Sequence, residues 1–202
     1  MTEMIPKHFV PLQELGYDCL NYYFGEGGQR VGITRGFLSS IGITNNYLWV
    51  HPDILGKLVR ARKFVNEKGF DFKIKDAFRP KALIKEICIL RREKGMEVEK
   101  IISEHKMPHA TGMAVDVVLC ELFDDNDEFY LGEEVYMRNP EKDGPECSFV
   151  EFYRSKTDAD SINFQNIQDI LINSFLAAGF VLGNRKEIWH FELPHLENAK
   201  RY

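Results

Sequence analysis

The sequence predicts an α+β fold: a single domain over residues 1–202, with a mainly antiparallel central sheet flanked by helices. Three observations support this prediction. The 202 residues fit one domain of ordinary size. No internal repeat, low-complexity tract or linker rich in proline and glycine divides the chain. Segments with helical period and segments with strand period are mixed, without the regular strand–helix–strand alternation of a parallel sheet.

Apolar residues recur with the helical period in three long segments, 52–69, 80–95 and 166–179. Proline opens the first two segments, and glycine closes all three, as helix ends prefer. A shorter helix is expected over 97–103. The first helix should place one apolar face in the core, formed by Ile54, Leu55, Leu58, Val59, Ala61, Phe64 and Val65.

Three shorter segments are typical of strands. Residues 70–78 alternate between apolar and polar side chains, and residues 112–119 are rich in β-branched residues. Residues 187–193 form an aromatic segment that ends before Pro194, which cannot donate to a sheet. These strands would form the central sheet.

The remaining segments are predicted as loops. The glycine-rich segment "FGEGGQRVGI" (24–33) lacks both a helical period and the phosphate-loop pattern, so we expect a hairpin or an ordered loop there. A loop-rich stretch is expected over roughly 120–160. Its acidic beginning, "CELFDDNDEFYLGEE" (120–134), lacks the ligand spacing and central glycine of an EF-hand, which favours a solvated loop over a calcium site.

Composition and charge limit the function classes. The formal net charge is −5 and the basic residues are scattered, so nucleic acid is not an expected partner. No apolar run approaches the roughly 20 residues that cross a bilayer, so no membrane span is expected. The N-terminus lacks the features of a secretory signal, which favours a cytoplasmic protein, although a trimmed exported protein would look the same. The sequence gives no basis for an oligomeric state. Four dispersed cysteines are expected to be free thiols: Cys19, Cys88, Cys120 and Cys147.

An aspartate interrupts the apolar strand 112–119. A carboxylate buried on a strand is costly unless it is paired or bound to a metal. Gly112 and Ala114 precede Asp116 on the same face and leave room beside it. Metal binding, pairing with an arginine and capping of a loop are all compatible with this position.

Other polar residues could complete a site with Asp116. His190 has Glu187 three positions before it and Glu192 two after it, so it is either a hydrogen-bonded core residue or a ligand with an acid beside it. His105 and His109 stand four residues apart, and either could bind a metal.

Arg79 follows a strand end. It could stabilise an oxyanion, or it could form an ion pair with Asp76.

Taken in chain order, these motifs resemble those of the zinc D-alanyl-D-alanine peptidases, and most closely the D-alanyl-D-alanine dipeptidase family, whose α+β fold is hedgehog-like. The resemblance depends on "KDAFRP" (75–80), "HATGMAVD" (109–116) and "EIWHFEL" (187–193). It extends to "YDCLNYYFGEGG" near the N-terminus and to "LAAGF" before the last strand. The total length and the motif order also suit the dipeptidases.

The resemblance implies one zinc ion per chain, bound by His109, Asp116 and His190. It selects His109 over His105, because the family's ligand histidine precedes the aspartate by seven positions and a glycine by three. Glu187 would be the general base that activates water and then protonates the leaving amine. Glu192 is the competing base, because it shares a face with His190 in a regular strand. Arg79 would stabilise the oxyanion.

The sequence also departs from the family. Met107 and Pro108 replace the serine-rich residues that usually precede the ligand histidine. Val150 stands where the dipeptidases carry an acid that holds the ammonium group of the substrate, and the neighbouring Glu151 could replace it only from the other face of a strand. The candidates for contact with a small peptide substrate are Glu151, Tyr22 and His105.

We therefore expect zinc-dependent hydrolysis of D-alanyl-D-alanine or a similar dipeptide. The first alternative is a D,D-carboxypeptidase or L,D-endopeptidase that acts on longer peptidoglycan peptides. The second is a zinc-stabilised binding module without activity.

Overall fold

The computed structural model describes residues 5–96, 107–125 and 128–202, which form an α+β fold. Within these ranges the helices are α1 (Glu26–Val31), α2 (Arg35–Ser40), α3 (Leu55–Asn66), α4 (Lys81–Glu93), α5 (Pro140–Asp143) and α6 (Ala159–Ala177). The strands are β1 (Val10–Pro11), β2 (Trp49–Val50), β3 (Phe70–Asp76), β4 (Ala114–Asp125), β5 (Glu128–Glu134), β6 (Val181–Leu182) and β7 (His190–Glu192).

The larger sheet has the order β3-β4-β7-β6, with β5 also paired to β4. The β4–β5 and β6–β7 pairs are antiparallel. Between β4 and β7, the amide of Val117 donates to the carbonyl of Trp189, and the amide of Leu193 donates to that of Met113, both at 3.0 Å. From the first bond to the second, the residue number falls on the β4 side and rises on the β7 side, as antiparallel pairing requires. The predicted fold class, an α+β fold with a mainly antiparallel sheet, is confirmed.

The described residues group into two compact units. Of the described residues, one unit contains 5–55, 74–96, 107–115 and 193–202, and the other contains 56–73, 116–125 and 128–192. Strands β3 and β4 supply residues to both units.

The core of the first unit is an apolar cluster on α4. Pro80 precedes this helix, and Gly95 follows it with a φ of +67°, so both ends carry the residues that the sequence placed there. The buried residues of the cluster come from α1, α2, α4, the loops beside them and the turn at 108–111: Tyr23, Val31, Ile33, Leu38, Ile41, Ile43, Leu83, Ile84, Ile87, Cys88 and Ala110.

The core of the second unit is aromatic. Phe175 of α6 stacks on Phe191 of β7 with 4.3 Å between ring centroids, and it meets Phe72 of β3 edge-on at 5.1 Å. Asp158 caps the N-terminus of α6 by accepting a hydrogen bond from the amide of Ser161, and the helix ends before Gly179, where φ is +93°. This packing fixes β7, the strand that carries His190.

Helix α3 confirms the first predicted helix with one exception on its apolar face. Leu58, Ala61 and Val65 are buried, but Val59 is 63% exposed. The apolar face is therefore narrower than the sequence pattern predicted.

The loop prediction for 24–33 is wrong, because Glu26–Val31 is helix α1. Its glycines are required by packing. A Cβ atom on Gly27 would lie 2.0 Å from the ring of Tyr22, and one on Gly28 would lie 2.0 Å from the carbonyl oxygen of Tyr23. Tertiary contact overrides the low helix propensity of glycine here.

The loop prediction for the acidic segment 120–134 is also wrong, because β4 and β5 pair through it as an antiparallel hairpin. An antiparallel pair can leave one face in water, so it tolerates acids that would be costly in a core. The expected helix over 97–103 lies outside the described residues. None of the four cysteines, all of them within the described residues, forms a disulfide, as predicted. None of the described helices combines the length and the apolar character needed to cross a membrane.

Candidate metal centre

His109 lies in a short 3-10 turn, Pro108–Thr111, just before β4. Its ring is buried, and Nδ1 lies 2.6 Å from the carbonyl oxygen of Ala77. Because a carbonyl only accepts, Nδ1 carries the proton in this contact and Nε2 presents its lone pair. The amide of Arg79 donates to the carbonyl of His109 at 3.1 Å, so the segment after β3 holds both ring and backbone.

Gly112 closes this turn. Its φ is +71°, and its amide donates to the carbonyl of His109 at 3.1 Å. A Cβ atom here would lie 2.3 Å from the ring of Phe9 and 3.0 Å from the amide nitrogen of His51. The glycine three positions after His109 is thus required both by backbone conformation and by packing.

Asp116 and His190 are 74 positions apart and meet through the pairing of β4 with β7. Asp116 Oδ1 lies 2.8 Å from His190 Nδ1. Both side chains are sheltered, with 20% of the Asp116 side chain and 7% of the His190 side chain exposed. The carboxylate that interrupts an apolar strand is therefore paired with an imidazole, a partner that could share a metal with it.

Three carboxylates act on the His190 ring. Burial disfavours its charged form, but hydrogen bonds to Asp116 and Glu192 and the negative charges of Asp116 and Glu187 outweigh burial and raise the pKa of His190 to about 10. The site therefore favours positive charge, which the protonated His190 ring supplies when no metal ion is bound.

His109, Asp116 and His190 together form a largely buried group that could hold a metal ion. Their candidate ligand atoms all lie within 4.8 Å of one another. In a tetrahedral site with bonds of about 2.0 Å, ligand atoms lie roughly 3.3 Å apart, so small adjustments of the side chains would suffice. Two imidazoles and one carboxylate suit zinc and several other divalent transition metals.

The two acids near His190 occupy different places. Glu187 lies in the turn before β7, where its amide donates to the carbonyl of Asn184 at 3.1 Å and its Oε2 accepts from the Asn184 side chain at 3.3 Å. Glu192 lies in β7 itself, and its Oε2 is 3.5 Å from His190 Nε2. Glu187 is thus outside the strand, so the alternation of side chains in β7 does not apply to it.

Arg79 is 7% exposed and forms the ion pair with Asp76 that was the alternative to a catalytic role. Its Nε donates to Asp76 Oδ2 at 3.0 Å, and its guanidinium lies 4.8 Å from the centroid of the Tyr23 ring. Asp76 also accepts from the amide of Ala77 at 2.9 Å. Arg79 is therefore held rigidly at the end of β3.

The candidates for substrate contact have other partners. Glu151 is exposed and pairs with Arg185 and with Arg154, the latter at 3.2 Å. Val150 is buried.

Tyr22 meets Tyr23 edge-on, with 5.3 Å between ring centroids, and covers Gly27. The contacts described for Tyr22 and Glu151 are with other residues of the protein and do not assign either side chain to substrate binding. His105 lies outside the described residues.

No protein-family model matches the chain, and no curated protein matches it significantly. The interpretation of the site therefore depends on its own geometry. Sequence analysis did not identify two parts of it, the carbonyl of Ala77 behind His109 and Gly183 beside His190. A backbone carbonyl has no sequence signal, whereas a glycine at the start of the turn before "EIWHFEL" is a signal of close packing that could have been used.

Proposed function

We propose that this protein is a zinc peptidase that hydrolyses D-alanyl-D-alanine or a similar small D-amino-acid dipeptide. One observation carries the proposal: the three side chains implied by the family resemblance, His109, Asp116 and His190, form a group with the donor atoms of a metal site.

The donor atoms follow from the hydrogen bonds. His109 would bind through Nε2, because its Nδ1 is engaged by Ala77. His190 would bind through Nδ1, because its Nε2 faces Glu192, and Asp116 would bind through a carboxylate oxygen. A zinc ion held there would polarise the peptide carbonyl and lower the pKa of a water molecule to about 7.

Glu187 is the general base in this proposal. It lies close enough to His190 for its charge to affect that ring, and the Asn184 side chain orients its carboxylate. It would take a proton from the attacking water onto a carboxylate oxygen and then deliver that proton to the leaving amine. Arg79, held in place by Asp76, would donate from its guanidinium to the oxyanion.

The test combines a metal assay with a substitution. Purified protein should contain about one zinc per chain and hydrolyse D,D-dipeptides faster than L,D-dipeptides. Glu187→Gln should retain zinc but lose roughly 10²–10⁴-fold in turnover, because its amide cannot take the proton.

The exposed Glu146 offers a matched control, Glu146→Gln, which should remain fully active. Protein that binds no zinc, or that remains active after treatment with a chelator, would contradict the proposal. Zinc binding with no hydrolysis by the wild type would favour a non-catalytic module.

A second candidate is a D,D-carboxypeptidase or L,D-endopeptidase acting on longer cell-wall peptides. Val150 is buried, and Glu151 is paired with two arginines, so neither supplies an anchor for a substrate ammonium group. Comparing D-alanyl-D-alanine with its N-acetylated form separates the two candidates. Strong rejection of the blocked dipeptide favours a dipeptidase, and equal or faster turnover favours an enzyme for longer peptides.

A further inference from the structure

Glu192 lies beside the ligand histidine on the side away from Asp116. It follows His190 by two positions in β7, so both side chains project from the same face of the sheet. The Glu192 carboxylate is 3.5 Å from Nε2 of the ring, while Asp116 lies 2.8 Å from Nδ1. The imidazole is therefore held between two carboxylates at its two nitrogens.

Gly183 makes this arrangement possible. A Cβ atom at position 183 would lie 2.7 Å from His190 Nε2 and 2.9 Å from the carboxyl carbon of Glu192. Real Cβ contacts do not reach such distances. The amide of Gly183 donates to the carbonyl of His190 at 3.2 Å, which holds the two backbones together at this point. Only a residue without a side chain leaves room here for the ring edge and the carboxylate together.

We propose that Glu192, with space provided by Gly183, is a positioning residue that keeps the proton of His190 on Nε2 and so presents Nδ1 to the metal. A neutral imidazole carries one N–H, and the hydrogen bond made by that N–H decides which nitrogen can bind a cation. The proposal rests on the metal site of the proposed function and does not require peptidase activity.

The same geometry argues against Glu192 as the general base. The two nitrogens of an imidazole direct their bonds away from each other. An acid that faces Nε2 consequently lies on the opposite side of the ring from a cation bound at Nδ1. Glu187, which precedes the strand, is not placed on that side by the strand's alternation.

A pair of substitutions tests the role of Glu192. Glu192→Gln keeps a carbonyl oxygen that can accept from Nε2–H, whereas Glu192→Met has similar length but accepts only weakly. Zinc affinity would be measured by competition with a chromophoric chelator, and the geometry of the site by the absorption spectrum of the Co²⁺-substituted protein. We expect Glu192→Met to lower zinc affinity roughly 10–100-fold and to change the Co²⁺ spectrum, as loss of such partners typically does. Glu192→Gln should remain close to the wild type in both.

Controls separate this role from charge and from folding. Glu141→Met removes an exposed negative charge elsewhere and should leave zinc affinity unchanged. If Glu192→Met does not fold, Glu192→Ala gives the same test, because it removes the carboxylate without adding bulk beside the His190 ring.

Two results would overturn the proposal: folded Glu192→Met with the zinc affinity of the wild type, or Gln and Met variants that lose affinity equally. If the wild type has no peptidase activity but Glu192→Met lowers zinc affinity and Glu192→Gln does not, the proposed function is refuted and this inference stands.

Discussion

The turn that carries His109 makes a stability prediction at Gly112. Gly112 has a φ of +71° and lies against Phe9, so Gly112→Ala introduces two separate penalties. The backbone penalty arises because a side chain disfavours the left-handed region, and the packing penalty arises because the methyl group would lie 2.3 Å from the Phe9 ring. Gly16→Ala is the control that introduces the backbone penalty alone, because Gly16 has a φ of +75° but a Cβ atom there would meet no atom of the described residues within 4 Å.

The magnitudes follow from the two environments. Gly16→Ala carries only the backbone penalty, roughly 1–2 kcal/mol in the free energy of unfolding. Gly112→Ala adds a steric penalty of about 1–3 kcal/mol, typical of a methyl group forced into a filled space. For a chain of this length, each kcal/mol lowers the melting temperature by roughly 2–4 °C. The Gly112 variant should therefore melt several degrees below the Gly16 variant.

Chemical and thermal unfolding of the two variants, with the wild type, is the assay. Phe9→Leu removes part of the ring that the new methyl group would meet, so Gly112→Ala should cost less in that background. Zinc affinity provides a second measurement, because Gly112 donates to the carbonyl of His109, whereas Gly16 donates to that of Gln13 in a different turn. Equal destabilisation by the two glycine substitutions, with no coupling to Phe9, would refute the packing described for this turn.

Two further predictions concern charge in the site. Without a metal ion the pKa of His190 is raised from 6.5 to about 10, so protonation of His190 stabilises the fold below pH 6.5, and this contribution is lost as pH rises towards 10. Over that pH interval the melting temperature of chelator-treated wild type should fall more than that of His190→Gln. Parallel dependence of the two melting temperatures on pH would contradict the raised pKa. Arg79→Ala should lower the free energy of unfolding in urea by about 3–5 kcal/mol, because it leaves the Asp76 carboxylate buried without its cation. The double variant Arg79→Met/Asp76→Asn should lose less stability. A double variant that is less stable than the single one would contradict this account.

The elements predicted well are those whose local pattern agrees with their packing. Helix α4 has a proline before it, a glycine after it and an apolar face, and all three features agree with its place in the core. The strand with Asp116 was predicted because it is rich in β-branched residues, and its aspartate indicated a candidate site because a buried carboxylate is costly without a partner. The partner itself, His190, was not predictable from local pattern, since nothing in the spacing of two residues 74 positions apart fixes the pairing of β4 with β7.

The elements missed are those in which tertiary contacts override local propensity. Helix α1 contains two adjacent glycines, which locally disfavour a helix but are needed because Tyr22 and Tyr23 occupy the space that side chains there would fill. The hairpin of β4 and β5 is rich in acids, which suggested a solvated loop, but backbone pairing between the strands requires no apolar side chain on the exposed face. Both errors came from interpreting composition where backbone contacts decide the structure.

The two acids beside His190 show where sequence reasoning reaches its limit within the site. In sequence, the family resemblance implies Glu187 as the base, whereas strand alternation favours Glu192. The structure begins β7 at His190, so alternation applies to Glu192 alone and places it against Nε2 of the ring. A base must reach a water molecule on the metal side of the histidine, and a carboxylate that accepts from the opposite nitrogen is committed elsewhere. In the proposed site, the beginning of β7 at His190 would leave Glu187 for proton transfer and Glu192 for orientation of the ligand histidine. Glu187→Gln tests the first role, and the Gln and Met variants of Glu192 test the second role independently.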